Sequence, residues 1–159
     1  MCEYCGCDGI PAVAELIAEH DAIRDLARVA RQAATADDRP GAVVAVGRIM
    51  ELLGPHTQIE EQGLFAAMVG EFGGYISSLI GEHIALDAAF AEFGMDQPAP
   101  GWQQRLIAAL DHLFEHILRE QDGLFPAALA ALTPAEWDVV DVVRAAVGGD
   151  VRPSHSSVR

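Results

Sequence analysis

The sequence predicts an all-α chain: an up-down-up-down four-helix bundle with a short additional C-terminal helix. Three observations carry this. Apolar residues recur at helical spacing along four long stretches. Clusters of Gly, Pro and Asp separate those stretches. A pattern also repeats: His56, Glu60 and the run Gly63-Leu64-Phe65 return sixty positions later as His116, Glu120 and Gly123-Leu124-Phe125.

The first helix is expected over residues 11–36, with Pro11 in its first turn. Val13, Leu16, Ile17, His20, Ile23, Leu26, Val29 and Ala30 form one stripe. Turn chemistry over residues 37–41 predicts the first loop. The second helix runs from about residue 41 to 70. Gly54-Pro55 interrupts it, predicting either a kink just before His56 or a break into two shorter helices. Gly73-Gly74 marks the next turn. The third helix spans about 75–93 and carries Ile76, Leu79, Ile80, His83, Leu86 and Phe90 on one side. Residues 94–101, with Pro98 and Pro100, form a loop. The fourth helix, about 102–131, sets Leu106, Leu110, Leu113, Ile117 and Leu124 around His116 and Glu120. Thr133, Pro134 and Glu136 make a capping box that opens the short fifth helix, which ends near Val147. The expected organisation is a Cys-rich arm (1–10), the bundle with its extra helix (11–147) and a disordered tail (148–159) in which His155 has no role.

At 159 residues the chain is long enough for one domain with a real core. Its formal charge of −14 argues against nucleic acid and anionic membrane surfaces as partners. No uninterrupted apolar run reaches the roughly 18 residues that span a bilayer. The N-terminus lacks a basic segment followed by an apolar one, so the expected location is the cytoplasm. Cys2, Cys5 and Cys7 are too few for a disulfide framework. They read as an arm of reactive thiols, or as half of a metal or redox site shared with a neighbouring chain.

Positions i and i+4 of a helix share one face, about 6 Å apart along the axis. His56 with Glu60, and His116 with Glu120, therefore each aim one imidazole and one carboxylate together. Each pair follows a helix carrying one more histidine in a Glu-His doublet, Glu19-His20 and Glu82-His83. A lone histidine on an apolar face is ordinarily a hydrogen-bonded core residue. Four of them, one per long helix and two with the same Glu one turn on, are another matter. Buried carboxylates are costly unless paired with cations, and the predicted interior offers no Arg or Lys. Metal is the simplest answer, and mixed imidazole and carboxylate ligation suits Fe, Mn or Zn.

The order His, His-x-x-x-Glu, His, His-x-x-x-Glu resembles the hemerythrin-like family of HHE cation-binding domains, over about residues 10–131. The resemblance implies His20, His56, His83 and His116 as terminal ligands and Glu60 and Glu120 as bridging carboxylates. It implies two iron ions joined by an oxo- or hydroxo-type bridge, with manganese or zinc as alternatives. Oxygen-carrying hemerythrins hold a second His in the third helix, where this chain has Leu79 and Asp87 one turn either side of His83. They also end with Asp five residues after the last His, where this chain has Gln121. The spacing to Glu120 matches the HHE subgroup.

The remaining polar groups stay open. His112, one turn before His116, reads as a ligand, a supporting partner or a packed residue. Glu61 is rotated about 100° from Glu60 and is expected to face away. Asp87 reads as a surface charge or a weak ligand, and Tyr75 as a group able to approach the site. Phe65 and Phe125 read as core packing. The expected function is binding or reaction of dioxygen, peroxide or nitric oxide at a di-iron pair, including peroxide breakdown, with an unidentified electron donor. The alternatives are a module sensing oxygen, iron or redox state without turnover, and a metal-free interaction bundle.

Overall fold

The computed structural model describes residues 9–94 and 99–148, and every regular element among them is helical. The Cys2, Cys5 and Cys7 arm, the middle of the 94–101 loop and the tail with His155 lie outside the described residues.

Helix α1 (Pro11–Thr35) opens on proline, whose missing N–H costs nothing in a first turn. The chain leaves it through Asp37 at φ 56°. Asp38 then caps α2 (Arg39–Ile59) by accepting a hydrogen bond from the Gly41 N–H at 3.0 Å. Pro55 lies inside α2 without ending it, so of the two readings of Gly54-Pro55 the break is not what forms. At Glu60 the hydrogen-bond ladder widens into a π-helical segment, Glu60–Phe65, before α3 (Ala66–Phe93) begins. Helical geometry is lost inside α3 at Phe72 (φ −115°, ψ 25°), next to the expected Gly73-Gly74 turn. The chain doubles back there: residues on both sides of Phe72, Met68 and Ile76 among them, share one core cluster, while Ile49 and Phe90 share the other.

After Gly101, at φ 77°, α4 (Trp102–Arg119) begins. A second π-helical segment follows at Glu120–Leu124, then α5 (Phe125–Ala131). Helix α6 (Pro134–Val147) carries the expected capping box. The Thr133 hydroxyl accepts from the Glu136 N–H, and Glu136 accepts from the Thr133 N–H at 2.7 Å.

The interior has two apolar halves. One gathers Ile23, Val46, Ile49, Leu53, Leu86, Phe90 and Leu113. The other gathers Leu16, Ile59, Phe65, Leu79, Leu124, Phe125 and Val140. In sequence His20, His56 and His83 each fall between a member of one half and a member of the other. A polar belt therefore divides the core. The apolar stripes are as expected except at Val29, which is 46% exposed. The helical run Arg39–Phe93 includes a stretch long and apolar enough by composition to cross a membrane, one third of it buried. No uninterrupted apolar run makes up that stretch, and the same helical run carries the buried His56, Glu60 and His83.

Both repeated glycines are packing positions. A Cβ on Gly63 would meet the Val140 backbone of α6 at 3.3 Å. A Cβ on Gly123 would sit 2.7 Å from the Tyr75 hydroxyl. Gly47, exposed within α2, has nothing within 4 Å. Gly47→Ala is therefore expected to raise stability by about 0.5–1 kcal/mol. Gly63→Ala is expected to lower it by about 1–3 kcal/mol, because backbone must move. Urea midpoints of the two variants check both signs.

Candidate metal centre

Each of the four long helical stretches delivers one histidine to the belt, and both π-helical segments begin at the glutamates. Among the described residues the buried polar or charged side chains are His20, His56, Glu60, His83, His116 and Glu120. These are the six residues the repeat singles out. Both glutamates are 0% exposed.

The six groups converge. His116 Nε2 lies 3.1 Å and His56 Nε2 3.2 Å from the Glu of its own helix. The other two histidines cross over. His20 Nε2 is 3.2 Å from Glu120, and His83 Nε2 lies 3.4 Å from Glu60 and 3.5 Å from Glu120. Two clusters result, His20, His56, Glu60 and Glu120, and Glu60, His83, His116 and Glu120, each with ligand atoms within 4.8 Å of one another. Both carboxylates belong to both clusters. The phenyl rings cross over as well. Phe125 stacks on His20 at 5.6 Å and Phe65 on His83 at 5.5 Å. They are core packing, as expected, and they also fix the planes of two imidazoles.

A layer of carboxylates stands behind the imidazoles. His56 Nδ1 donates to Glu19 at 2.7 Å, and His116 Nδ1 to Glu82 at 2.8 Å. Glu19 is tied in turn to Arg144 of α6, and Glu82 to Arg119. In the neutral imidazole such bonds set the tautomer and leave Nε2 as the ligand atom, and they raise its basicity. The doublets Glu19-His20 and Glu82-His83 are the sequence signal for this layer, since each glutamate serves the histidine of the following helix. Glu61 corrects an expectation. It is 37% exposed where Glu60 is fully buried, but the doubling back of α3 brings His83 beside it, and His83 Nδ1 donates to Glu61 at 2.7 Å.

Charge in the belt is shared between proton-bearing imidazoles and carboxylates. Burial pushes His56 down, but the Glu60 charge, the bond to Glu19 and the close contact with Glu60 outweigh it and hold the group at about 10. Burial also opposes protonation of His83, and its contacts with Glu120 and Glu60 likewise raise it to about 10. Burial and the Glu120 charge push Glu60 up, yet His56 and His83 keep it below the ordinary carboxylate value. Burial raises Glu120 too. Close contacts with His116, His20 and His83 prevail and hold it well below that value. Burial dominates at His20, whose value is lowered.

The open candidates now have places. Tyr75 donates its hydroxyl to the Arg119 carbonyl at 2.7 Å, in the space Gly123 leaves. His112 is half-buried and lines a cavity of about 520 Å³ with Arg39 and Trp102, outside both clusters. Asp87 is exposed and lines a cavity of about 210 Å³ with Thr57, Glu61 and His83.

The donor set fits cations. Both oxygens of Glu60, both of Glu120 and His83 Nε2 are buried without a hydrogen-bond partner. Atoms of that kind are costly to bury unless something positive completes them. Nitrogen and oxygen donors in two clusters suit divalent transition metals. Comparison with known proteins agrees with the geometry. No curated protein and no solved structure matches the chain. The sequence model of the hemerythrin HHE cation binding domain matches residues 12–128. That span holds all six converging side chains and most of the bundle, so the chain belongs to the hemerythrin HHE cation-binding domain family.

Proposed function

We propose that this metal-binding domain holds two iron ions and reacts with dioxygen, peroxide or nitric oxide, with peroxide breakdown as its turnover reaction. The observation that carries the reading is that both carboxylates are shared by two clusters, each completed by its own pair of histidines. His20 and His56 would hold one ion, His83 and His116 the other, and Glu60 and Glu120 both. An iron pair with open coordination positions supplies redox chemistry toward small oxygen and nitrogen molecules.

The protein's part is placement and exclusion. Phe65 and Phe125, buried and stacked on His83 and His20, keep bulk water from the belt. His83, 6% exposed, is the most accessible of the six and lines the cavity of about 210 Å³ between α2 and α3. A small molecule has its shortest way in there. Peroxide breakdown needs no outside reductant, because two peroxides yield two waters and one dioxygen. Nitric oxide reduction would need an electron donor.

Iron-loaded protein is expected to evolve dioxygen from peroxide, followed with an oxygen electrode. A chain carrying two irons that evolves none would overturn the turnover reaction. Met50 and Ile84 line the cavity beside Asp87. Ile84→Trp is expected to slow peroxide consumption several-fold with metal content unchanged, because it narrows the entrance. An unchanged rate would place the entrance elsewhere.

A further inference from the structure

The residues that support the four imidazoles match between the two halves of the belt except at His20. Glu19 stands behind His56 as Glu82 stands behind His116. Phe125 covers His20 as Phe65 covers His83. Glu61, the residue after Glu60, accepts from His83 Nδ1. The residue after Glu120 is Gln121, and its amide oxygen accepts from Arg24 at 2.8 Å. His20 Nδ1 is buried with no hydrogen-bond partner.

The chemistry of the amide explains the orphan. A guanidinium only donates, so the side of Gln121 turned to Arg24 must be its oxygen. What remains is an NH₂ group, also only a donor. A histidine that offers Nε2 to a metal carries its proton on Nδ1 and needs an acceptor there. The single oxygen of Gln121 is turned to Arg24 and takes no bond from His20 Nδ1. Glu19 and Glu82 meet the same double demand with two oxygens, one toward an arginine and one toward an imidazole.

We infer that Gln121 makes the two cation positions unequal: the one at His20 and His56 binds more weakly and empties first, because one of its imidazoles lacks the carboxylate that supports the other three. This rests on the two-ion reading above. It makes Gln121 and Glu61 positioning residues, acting through His20 and His83.

The test is chelator competition on the iron-loaded full chain, with metal content measured by elemental analysis. Loss of supporting partners of this kind lowers metal affinity by about 10–100-fold. The wild type is expected to lose its ions in two phases separated by a factor in that range. Gln121→Glu is expected to move the early phase about 10-fold or more toward higher chelator and leave the late phase in place. Glu61→Ala, which orphans His83 Nδ1 as His20 Nδ1 is orphaned, is expected to move the late phase down. Far-UV circular dichroism confirms the fold of both variants, and either variant tests the idea if the other fails to fold. Two ions whose release is indifferent to residues 121 and 61 would overturn this inference alone. A wild type that never carries more than one ion would overturn the two-ion reading and this inference with it.

Discussion

Glu120→Ala is expected to strip both ions from the protein, not one. Three imidazoles, those of His20, His83 and His116, lie within 3.5 Å of this carboxylate. It belongs to both clusters. Removing it takes a ligand from each position and also the negative charge that lets two cations sit close together. Losing merely a supporting partner costs about 10–100-fold in affinity, so losing a shared ligand is expected to exceed about 100-fold at both positions. Glu120→Gln preserves the volume and is expected to behave the same way, which separates loss of ligation from loss of packing. His20→Ala, by contrast, is expected to leave the ion at His83 and His116 in place. Metal content per folded chain decides the matter. If Glu120→Ala retained one full equivalent of metal, the shared-carboxylate geometry would be wrong.

The second large effect is in the pH dependence. In the metal-free chain His56 and His83 are held at about 10, above the ordinary imidazole value of 6.5. A raised value of that kind contributes stability fully below 6.5, and the contribution is lost as pH rises toward about 10. Glu60 and Glu120 are lowered from the ordinary 4.5. Their contribution is present above 4.5 and is lost as pH falls below it. The metal-free chain is therefore expected to be most stable between about pH 4.5 and 6.5 and to weaken steadily on the alkaline side. Shifts of this size compare with the whole stability of a domain, about 5–15 kcal/mol. Metal takes the place of the protons on His56 and His83. Loading near neutral pH should release about two protons per chain, and affinity should fall as the solution is acidified. The loaded chain keeps its belt charge-balanced at alkaline pH, so the gap in Tm between loaded and chelator-treated protein should widen from pH 6.5 to 9.5. Parallel Tm curves for the two forms, or uptake without proton release, would show that these imidazoles are not protonated before metal arrives.

Much of this is legible in the chain. The six converging residues follow from one repeated spacing, because a turn of helix is short enough to show in the sequence. The capping box at Thr133 is legible for the same local reason. What escapes depends on rotation and on partners far along the chain. An ideal helix turns Glu61 outward, but the π-helical segment that starts at Glu60 and the return of α3 change what stands next to it. Pro55 allows two outcomes, because sequence alone does not show whether packing will hold a helix together through a proline. The supporting role of Glu19 and Glu82 links residues 37 and 34 positions apart, and no local periodicity encodes that. Gly63 and Gly123 repeat visibly, but what each makes room for, α6 in one case and a tyrosine hydroxyl in the other, differs between the copies.

The crossing of Glu60 toward His83 and of Glu120 toward His20 has a consequence for how such a chain can be taken apart. Neither copy of the repeat owns a complete cage, since each lends a carboxylate to its twin and borrows one back. Cut at the turn beside Gly73-Gly74, where helical geometry is lost at Phe72, the two fragments should be unable to hold iron separately, yet recover it when mixed. A gene for one copy alone would have to work as a self-paired dimer.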